Sequence, residues 1–188
     1  MRNGTTLVEQ VDKDGNFVKG YDSILSRSEI FEQLQDCFPG IEKNSYGYVG
    51  IYKDLKFSIK IKNINYLGNP HPINKKRIQI AADLQDFYNQ SKKDGYYPIL
   101  LGLYSFQENY IFIDFHIEDY VRKNSHNSSA HVLTEDLAEA VTHQIFQKFE
   151  ANLNKITLFQ INASSQYFDS LIEFIKESAA EEEILNSI

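Results

Sequence analysis

Leu55-Lys-Phe-Ser-Ile-Lys-Ile-Lys62 alternates apolar and polar residues without a break. A period of two marks a strand with one buried face. Leu55, Phe57, Ile59 and Ile61 are therefore expected to face a core, with Lys56, Ser58, Lys60 and Lys62 forming an exposed basic face. The surrounding segment, Lys53 to Lys93, carries nine Lys or Arg against three acids, in a chain whose net charge is −7. Its middle, Lys60-Ile-Lys-Asn-Ile-Asn-Tyr-Leu-Gly-Asn-Pro-His-Pro-Ile-Asn-Lys-Lys-Arg-Ile-Gln-Ile80, interleaves cations and amides with two short apolar runs and a Gly/Pro-marked loop. Lys and Arg suit phosphates, whereas Asn, Gln, Arg and His offer the directional donors and acceptors that base edges require. A solvated hairpin has the same composition.

Working outward, Leu7 to Val11 and Phe17-Val18 read as a hairpin around Asp12-Lys-Asp-Gly-Asn16. Those five residues resemble the start of a calcium loop, but Phe17 stands where that loop needs Gly and Ser23 where it needs Glu. Ser26 or Ser28 can cap a helix with Ile30, Phe31, Leu34 and Phe38 on one face, ended by Pro39-Gly40. Tyr46 to Tyr52 and Arg77 to Ile80 read as strands, and Ala82 to Ser91 as a helix. Pro98 to Tyr104 and Asn109 to His116 read as a hairpin of core strands. Thr134 is expected to cap a helix bearing Leu137, Ala138, Val141, Ile145 and Phe149, with Glu135 and Asp136 in its first turn. Ile156 to Ile161 reads as a buried strand and Ser165 to Leu185 as an amphipathic helix. Strands often follow strands, which favours α+β or a small barrel over a doubly wound parallel sheet.

At 188 residues the chain fits one domain that can bury a real core. A single cysteine, Cys37, excludes an intrachain disulfide and a cysteine-based zinc site, and points to a reducing cytoplasm. No apolar stretch approaches the roughly 18 residues of a membrane span, and no secretory leader is visible. The acidity is concentrated at the end: residues 166–188 hold six acids and one Lys. One face can therefore meet DNA while the other carries the acids.

No catalytic constellation is complete. A magnesium nuclease of the Pro-Asp…(Asp/Glu)-x-Lys type needs two acids and a nearby Lys. After Asp54, Ser58-Ile-Lys60 has Ser where the second acid belongs, and Asp114-Phe-His116 lacks the Lys. No Gly-rich phosphate loop precedes a helix, and the five histidines form no His-x-x-x-His pair. Cys37 lies on the apolar side of its helix, the position of an inert core thiol. Cofactors are therefore expected to be none.

A second donor-rich segment is Asp119-Tyr-Val-Arg-Lys-Asn-Ser-His-Asn-Ser-Ser-Ala-His131. It follows a core strand and stands about fifty residues after the first, so two polar arms are expected to project from one set of strands.

Between Leu55 and Leu133, the landmarks Lys75-Lys-Arg-Ile-Gln-Ile80, Tyr97-Pro-Ile-Leu-Leu-Gly-Leu103, Tyr110-Ile-Phe-Ile-Asp114 and Ser128-Ser-Ala-His-Val132 resemble the DNA-binding pseudobarrel of the plant B-three type. That fold also serves as the sequence-recognition module of bacterial restriction enzymes, including Mcr-type ones. The resemblance implies an α+β fold, an open pseudobarrel of roughly seven strands with flanking helices, gripping the major groove with two arms. Carried over, the first arm spans Lys62 to Gln79 and the second Tyr120 to His131. The implied DNA-binding residues, with the preceding strand's Lys60, are Lys60, Lys62, Asn63, Asn65, Asn69, His71, Asn74, Lys75, Lys76, Arg77 and Gln79 on the first side. On the second they are Tyr120, Arg122, Lys123, Asn124, Ser125, His126, Asn127, Ser128 and Ser129. The recognition domain is expected over residues 1–165 and an acidic helical connector over 166–188, leading to a nuclease or GTPase motor in the same protein. Double-stranded DNA is the implied partner, with no catalysis in these residues. The alternatives are a small divergent magnesium nuclease using Asp54, Asp114 and Lys60, and a protein-interaction module.

Overall fold

The structure is a computed structural model and describes residues 2–80, 82–121, 129–150 and 154–188. It opens with a hairpin, β1 (Arg2–Val11) and β2 (Phe17–Ile24), followed by α1 (Arg27–Cys37). Next come β3 (Glu42–Lys43), β4 (Tyr48–Tyr52), β5 (Leu55–Asn63), β6 (Asn65–Tyr66) and β7 (Lys75–Gln79). After them lie α2 (Leu84–Lys93), β8 (Tyr97–Phe106), β9 (Asn109–Asp114), α3 (Glu118–Val121) and β10 (Ser129–Leu133). The chain closes with α4 (Thr134–His143), β11 (Ile145–Phe149), β12 (Lys155–Phe159), a short 3-10 turn and α5 (Ser164–Asn186).

The expected α+β class is what the chain adopts, as an open architecture. Among the described residues the main sheet has seven strands in the order β11-β12-β9-β8-β5-β4-β3, so β11 and β3 are free edges and no barrel closes. A second sheet has the order β10-β7-β6, and β1-β2 stands as a separate hairpin. All pairings in the main sheet are antiparallel except β5 with β8, where Phe57 faces Tyr97 and Asn63 faces Leu103. A parallel pair needs a crossover, and that connection contains β6, β7 and α2.

Both faces of the main sheet are covered, which explains why β8 reads as an almost unbroken apolar run. Along it, Leu100 and Tyr104 point into one core with Ile78, Phe87, Ala130, Val132 and Leu137. Ile99, Leu101 and Leu103 point into the other, with Leu34, Phe38, Tyr167 and Phe168. Each such side chain contributes about 1.5–3 kcal/mol on burial. Gly102 sits between them because Ile64 and Phe115 occupy the space its Cβ would need. The Tyr104 hydroxyl ties the hairpin to the sheet, donating to Gln10 Oε1 at 2.8 Å and accepting from the Val11 amide at 2.9 Å.

Several local expectations hold. Ser26 caps α1 by accepting from the Glu29 amide at 3.2 Å, and Cys37 is buried, which pushes its thiol pKa up. The Asp12 carboxylate accepts from the Asp14 and Asn16 amides, both at 2.9 Å, so it stabilises the hairpin turn itself. The β8–β9 turn places Gln107 and Glu108 at φ 46° and 66°, the double left-handed geometry that suits hairpin twist.

Three expectations are corrected. The polar face of β5 is not an open basic surface throughout: α2 and its cap cover Ser58 and Lys60, while Lys56 is exposed. Ser58 is buried and hydrogen-bonded to Ser91 at 2.7 Å, while the Lys60 side chain is 16% exposed and paired with Asp83 at 2.8 Å. Thr134 is not the cap of α4 but its first residue, where its hydroxyl donates to the Glu9 carboxylate. The cap position falls to Leu133, whose amide donates to Asp136 at 3.0 Å. The helix also stops at His143 rather than continuing to Phe149: Gln144 turns left-handed at φ 65°, and Ile145–Phe149 becomes edge strand β11, paired with β12. Lys148 holds that strand to the helix through Asp136 at 2.9 Å. Of the final helix, Tyr167, Phe168 and Leu171 belong to the core, whereas residues 176–177 and 179–188 are exposed.

Candidate nucleic-acid interface

The described end of the second polar segment meets the first in the small sheet. Lys75-Lys-Arg-Ile-Gln79 runs antiparallel to Ser129-Ala-His-Val-Leu133, with Gln79 opposite Ser129, Arg77 opposite His131 and Lys75 opposite Leu133. On the other side of β7, Asn65 of β6 faces Arg77. Strand alternation sends Ile78, Ala130 and Val132 into the core and leaves Lys75, Arg77, Gln79, Ser129 and His131 on the outer face. Asn65, Arg77 and His131 thus form one cross-strand row, and directly opposed Cβ atoms in such rows lie about 4.5–5.5 Å apart.

This face continues into a cleft of about 550 Å³ lined by Arg27, Lys62, Asn65, Arg77 and Gln79. Arg27, Ile30 and Ile61 also border an adjoining cleft of about 620 Å³, which contains Lys43, Tyr46, Lys60 and Asp83. The two hollows share Arg27, Ile30 and Ile61 as a common border. Lys62 donates to the Gln79 carbonyl at 3.0 Å, which holds the end of β7 against β5. Burial and then neighbouring Lys60 push its ammonium pKa down. The Asn65 Oδ1 atom is buried and has no donor among the described residues. Ser129 Oγ lies 3.1 Å from His131 Nε2. Burial, then Lys75, Arg77 and His71, push the His131 imidazole below its usual range.

Not every expected contact residue can serve. Lys76 points inward with 0% exposure, its ammonium 2.8 Å from Asp22 Oδ1. Asp22 also accepts from Gln10 at 2.9 Å and from the Tyr66 amide at 2.6 Å, so the pair anchors the first arm to the hairpin. Asn63 is engaged at both ends by the Leu25 backbone, at 3.0 Å each. Lys60 is held by Asp83. Tyr120, on α3, packs against the core, and burial pushes its phenol up to about 12. Asn69 and His71 are exposed in the loop between β6 and β7, and Tyr66 donates to the His71 carbonyl at 2.6 Å. Asn74 lends its carbonyl to the Thr134 amide at 2.9 Å. Arg122, Lys123, Asn124, Ser125, His126, Asn127 and Ser128 lie outside the described residues.

Two residues join the surface that the candidate set lacked. His131 could have been found from the alternation of Ser129-Ala-His-Val-Leu133, which puts it on the same face as Ser129. Arg27 has no such signal, because it opens α1 and reaches the cleft from fifty residues before Arg77.

The acids and the lysine of the nuclease alternative do not share a cleft. Asp114 is buried, accepting from the His116 amide at 2.8 Å and the Tyr167 hydroxyl at 2.6 Å, while Lys60 lines a cleft with Asp83. Asp54 stands in the β4–β5 turn. Among the described residues, no three His, Cys, Asp or Glu side chains are arranged to hold a metal, and no helix is long and apolar enough to cross a membrane.

No curated protein and no solved structure matches the chain. Residues 55–168, more than half of it, match the family described as Methylase-associated X1, and the match contains β5 through the core-packed start of α5, including both arms. The chain belongs to the Methylase-associated X1 family.

Proposed function

We propose that the chain is the sequence-specific, double-stranded DNA recognition module of a restriction-modification system, and that it meets the major groove with the β6-β7-β10 face. The observation that carries this reading is the cross-strand row Asn65–Arg77–His131, where strands from two donor-rich segments distant in sequence pair and present half-buried residues on one outer face. Arg pairs bidentately with guanine and a half-buried His can donate to or accept from a base edge, so Arg77 and His131 carry the base-reading chemistry of the row, while Asn65, with its Oδ1 buried, lies beside them. Lys75 and Arg27 beside it supply phosphate contacts. The methylase-associated family description supports the restriction-modification setting. In this reading the chain contributes recognition, cytoplasmic DNA is the partner, and cleavage or motor activity belongs to another domain of the full-length protein.

The test is retention of duplex DNA from a randomised pool at low salt, followed by sequencing of the bound fraction. Enrichment of a short motif supports the reading. Binding without enrichment, or no binding, overturns it. Incubating the chain with plasmid and magnesium separates recognition from the nuclease alternative, since cleavage would contradict the assignment.

A further inference from the structure

We infer that His131 takes up a proton when a DNA phosphodiester enters the cluster it forms with His71, Lys75 and Arg77, so that DNA affinity at this face depends on pH. The inference rests on the DNA-recognition reading above and adds to it a ligand-contacting residue and a regulatory variable.

The geometry comes from the small sheet. His131 faces Arg77 directly across the β7–β10 pairing, and Lys75 stands opposite Leu133, two residues along, which places it at the diagonal position to His131. His71 approaches from the β6–β7 loop, whose backbone is pinned by the Tyr66 hydroxyl at 2.6 Å. On its own strand, His131 meets the Ser129 hydroxyl through Nε2 at 3.1 Å. Asn65 lies beyond Arg77 on β6. Thus β7 presents Lys75 and Arg77, the loop presents His71, β10 presents a neutral hydroxyl and β6 a neutral amide.

In the free protein an added proton on His131 would be partly buried beside cations. Burial, then the neighbouring Lys75, Arg77 and His71, hold the imidazole below its usual range, which favours the neutral form. A phosphodiester brings a fixed negative charge into the cluster and reverses that balance. The imidazolium is then favoured, and the proton comes from solvent. Because the bound-state pKa is raised relative to the free state, the extra affinity is fully present below the free-state pKa. It is lost as pH rises through the bound-state pKa. A histidine that only packed β10 against β7 would show no such linkage.

The experiment measures duplex affinity of the whole chain at fixed salt from about pH 8 to about pH 6, together with binding heats in buffers of different ionisation enthalpy. Affinity should rise at least about fivefold toward low pH, and the heats should report net uptake of up to about one proton near neutrality. H131Q should flatten the pH profile to less than half its span. DNA binding that changes less than about twofold with pH, with no buffer-dependent heat, overturns the inference and leaves the recognition reading standing. A full pH profile retained by H131Q also overturns it. Absence of duplex binding at every pH overturns the recognition reading itself. If H131Q fails to fold, H71Q decides the matter: proton uptake and a pH profile retained by H71Q support the assignment to His131, and their loss overturns it.

Discussion

The Lys76 ammonium lies 2.8 Å from the Asp22 carboxylate with its side chain wholly buried, and through it the N-terminal hairpin is locked to β7. Burial disfavours the charged lysine, and the carboxylate offsets part of that cost. The pair is a structural anchor beneath the interface, although Lys76 sits between two cations that face outward.

Removing one partner should therefore be severe. Asp22→Ala leaves a buried ammonium without its counter-charge and also frees the Tyr66 amide and Gln10. A loss of about 3–5 kcal/mol in urea unfolding is expected. A loss below about 1 kcal/mol would mean that the ammonium reaches water.

Salt dependence should reflect which cations remain free. With Lys60 held by Asp83 and Lys76 by Asp22, the outer cations are Arg27, Lys75 and Arg77, with Lys62 partly engaged. Contact with about three or four phosphates gives a slope of log K against log[salt] near −3 to −4. Lys75→Ala should reduce that slope by about 0.9 and weaken all sequences alike, while Lys76→Met should leave the slope unchanged and alter stability alone. Titrating duplex binding against salt for the wild type and both variants separates the two kinds of lysine.

Close packing at Gly102 makes a third case. Its missing side chain leaves room for Ile64, which ties the start of the small sheet's connection to β8. Gly102→Ala should cost about 1–3 kcal/mol through overpacking, measured by thermal unfolding. A neutral result would show that Ile64 repacks freely.

The acidic end of α5 is expected to play no part in DNA binding. Asp169 is drawn to Lys53 at 2.8 Å and Tyr52 at 3.0 Å, on the α1–α5 side of the main sheet, and residues 179–188 extend past the core. Truncation after Ser178, which removes Glu181, Glu182 and Glu183, should leave duplex affinity within about tenfold, or about 1.4 kcal/mol. A larger change would place the tail at the DNA.

Much of this architecture was legible in the chain, because the signals were local. The hairpin turn at Asp12, the Ser26 cap and the β8–β9 pair all follow from neighbouring residues. The pairing of β7 with β10 was not legible, since about fifty residues separate Arg77 from His131 and neither strand has a turn that points to the other. Charge counting failed at Lys76 and Lys60 for a related reason. A lysine in a strand is exposed or buried according to what covers its face, and α2 and the hairpin arrive from elsewhere in the sequence. At Ile145 and Phe149 the spacing continues the helix from Val141, but a β-strand partner, β12, offers a free edge and wins. Arg27 reaches the cleft only through the tertiary placement of α1.

The most direct measurement is parallel selection from randomised duplexes by the wild type and by Arg77→Ala. If the Asn65–Arg77–His131 row reads bases, the wild type should yield a short motif, and the variant should lose about 1–3 kcal/mol of preference at one or two positions while keeping the rest. A wild type that enriches no motif, or a variant weakened equally for every sequence, would contradict base reading by this face.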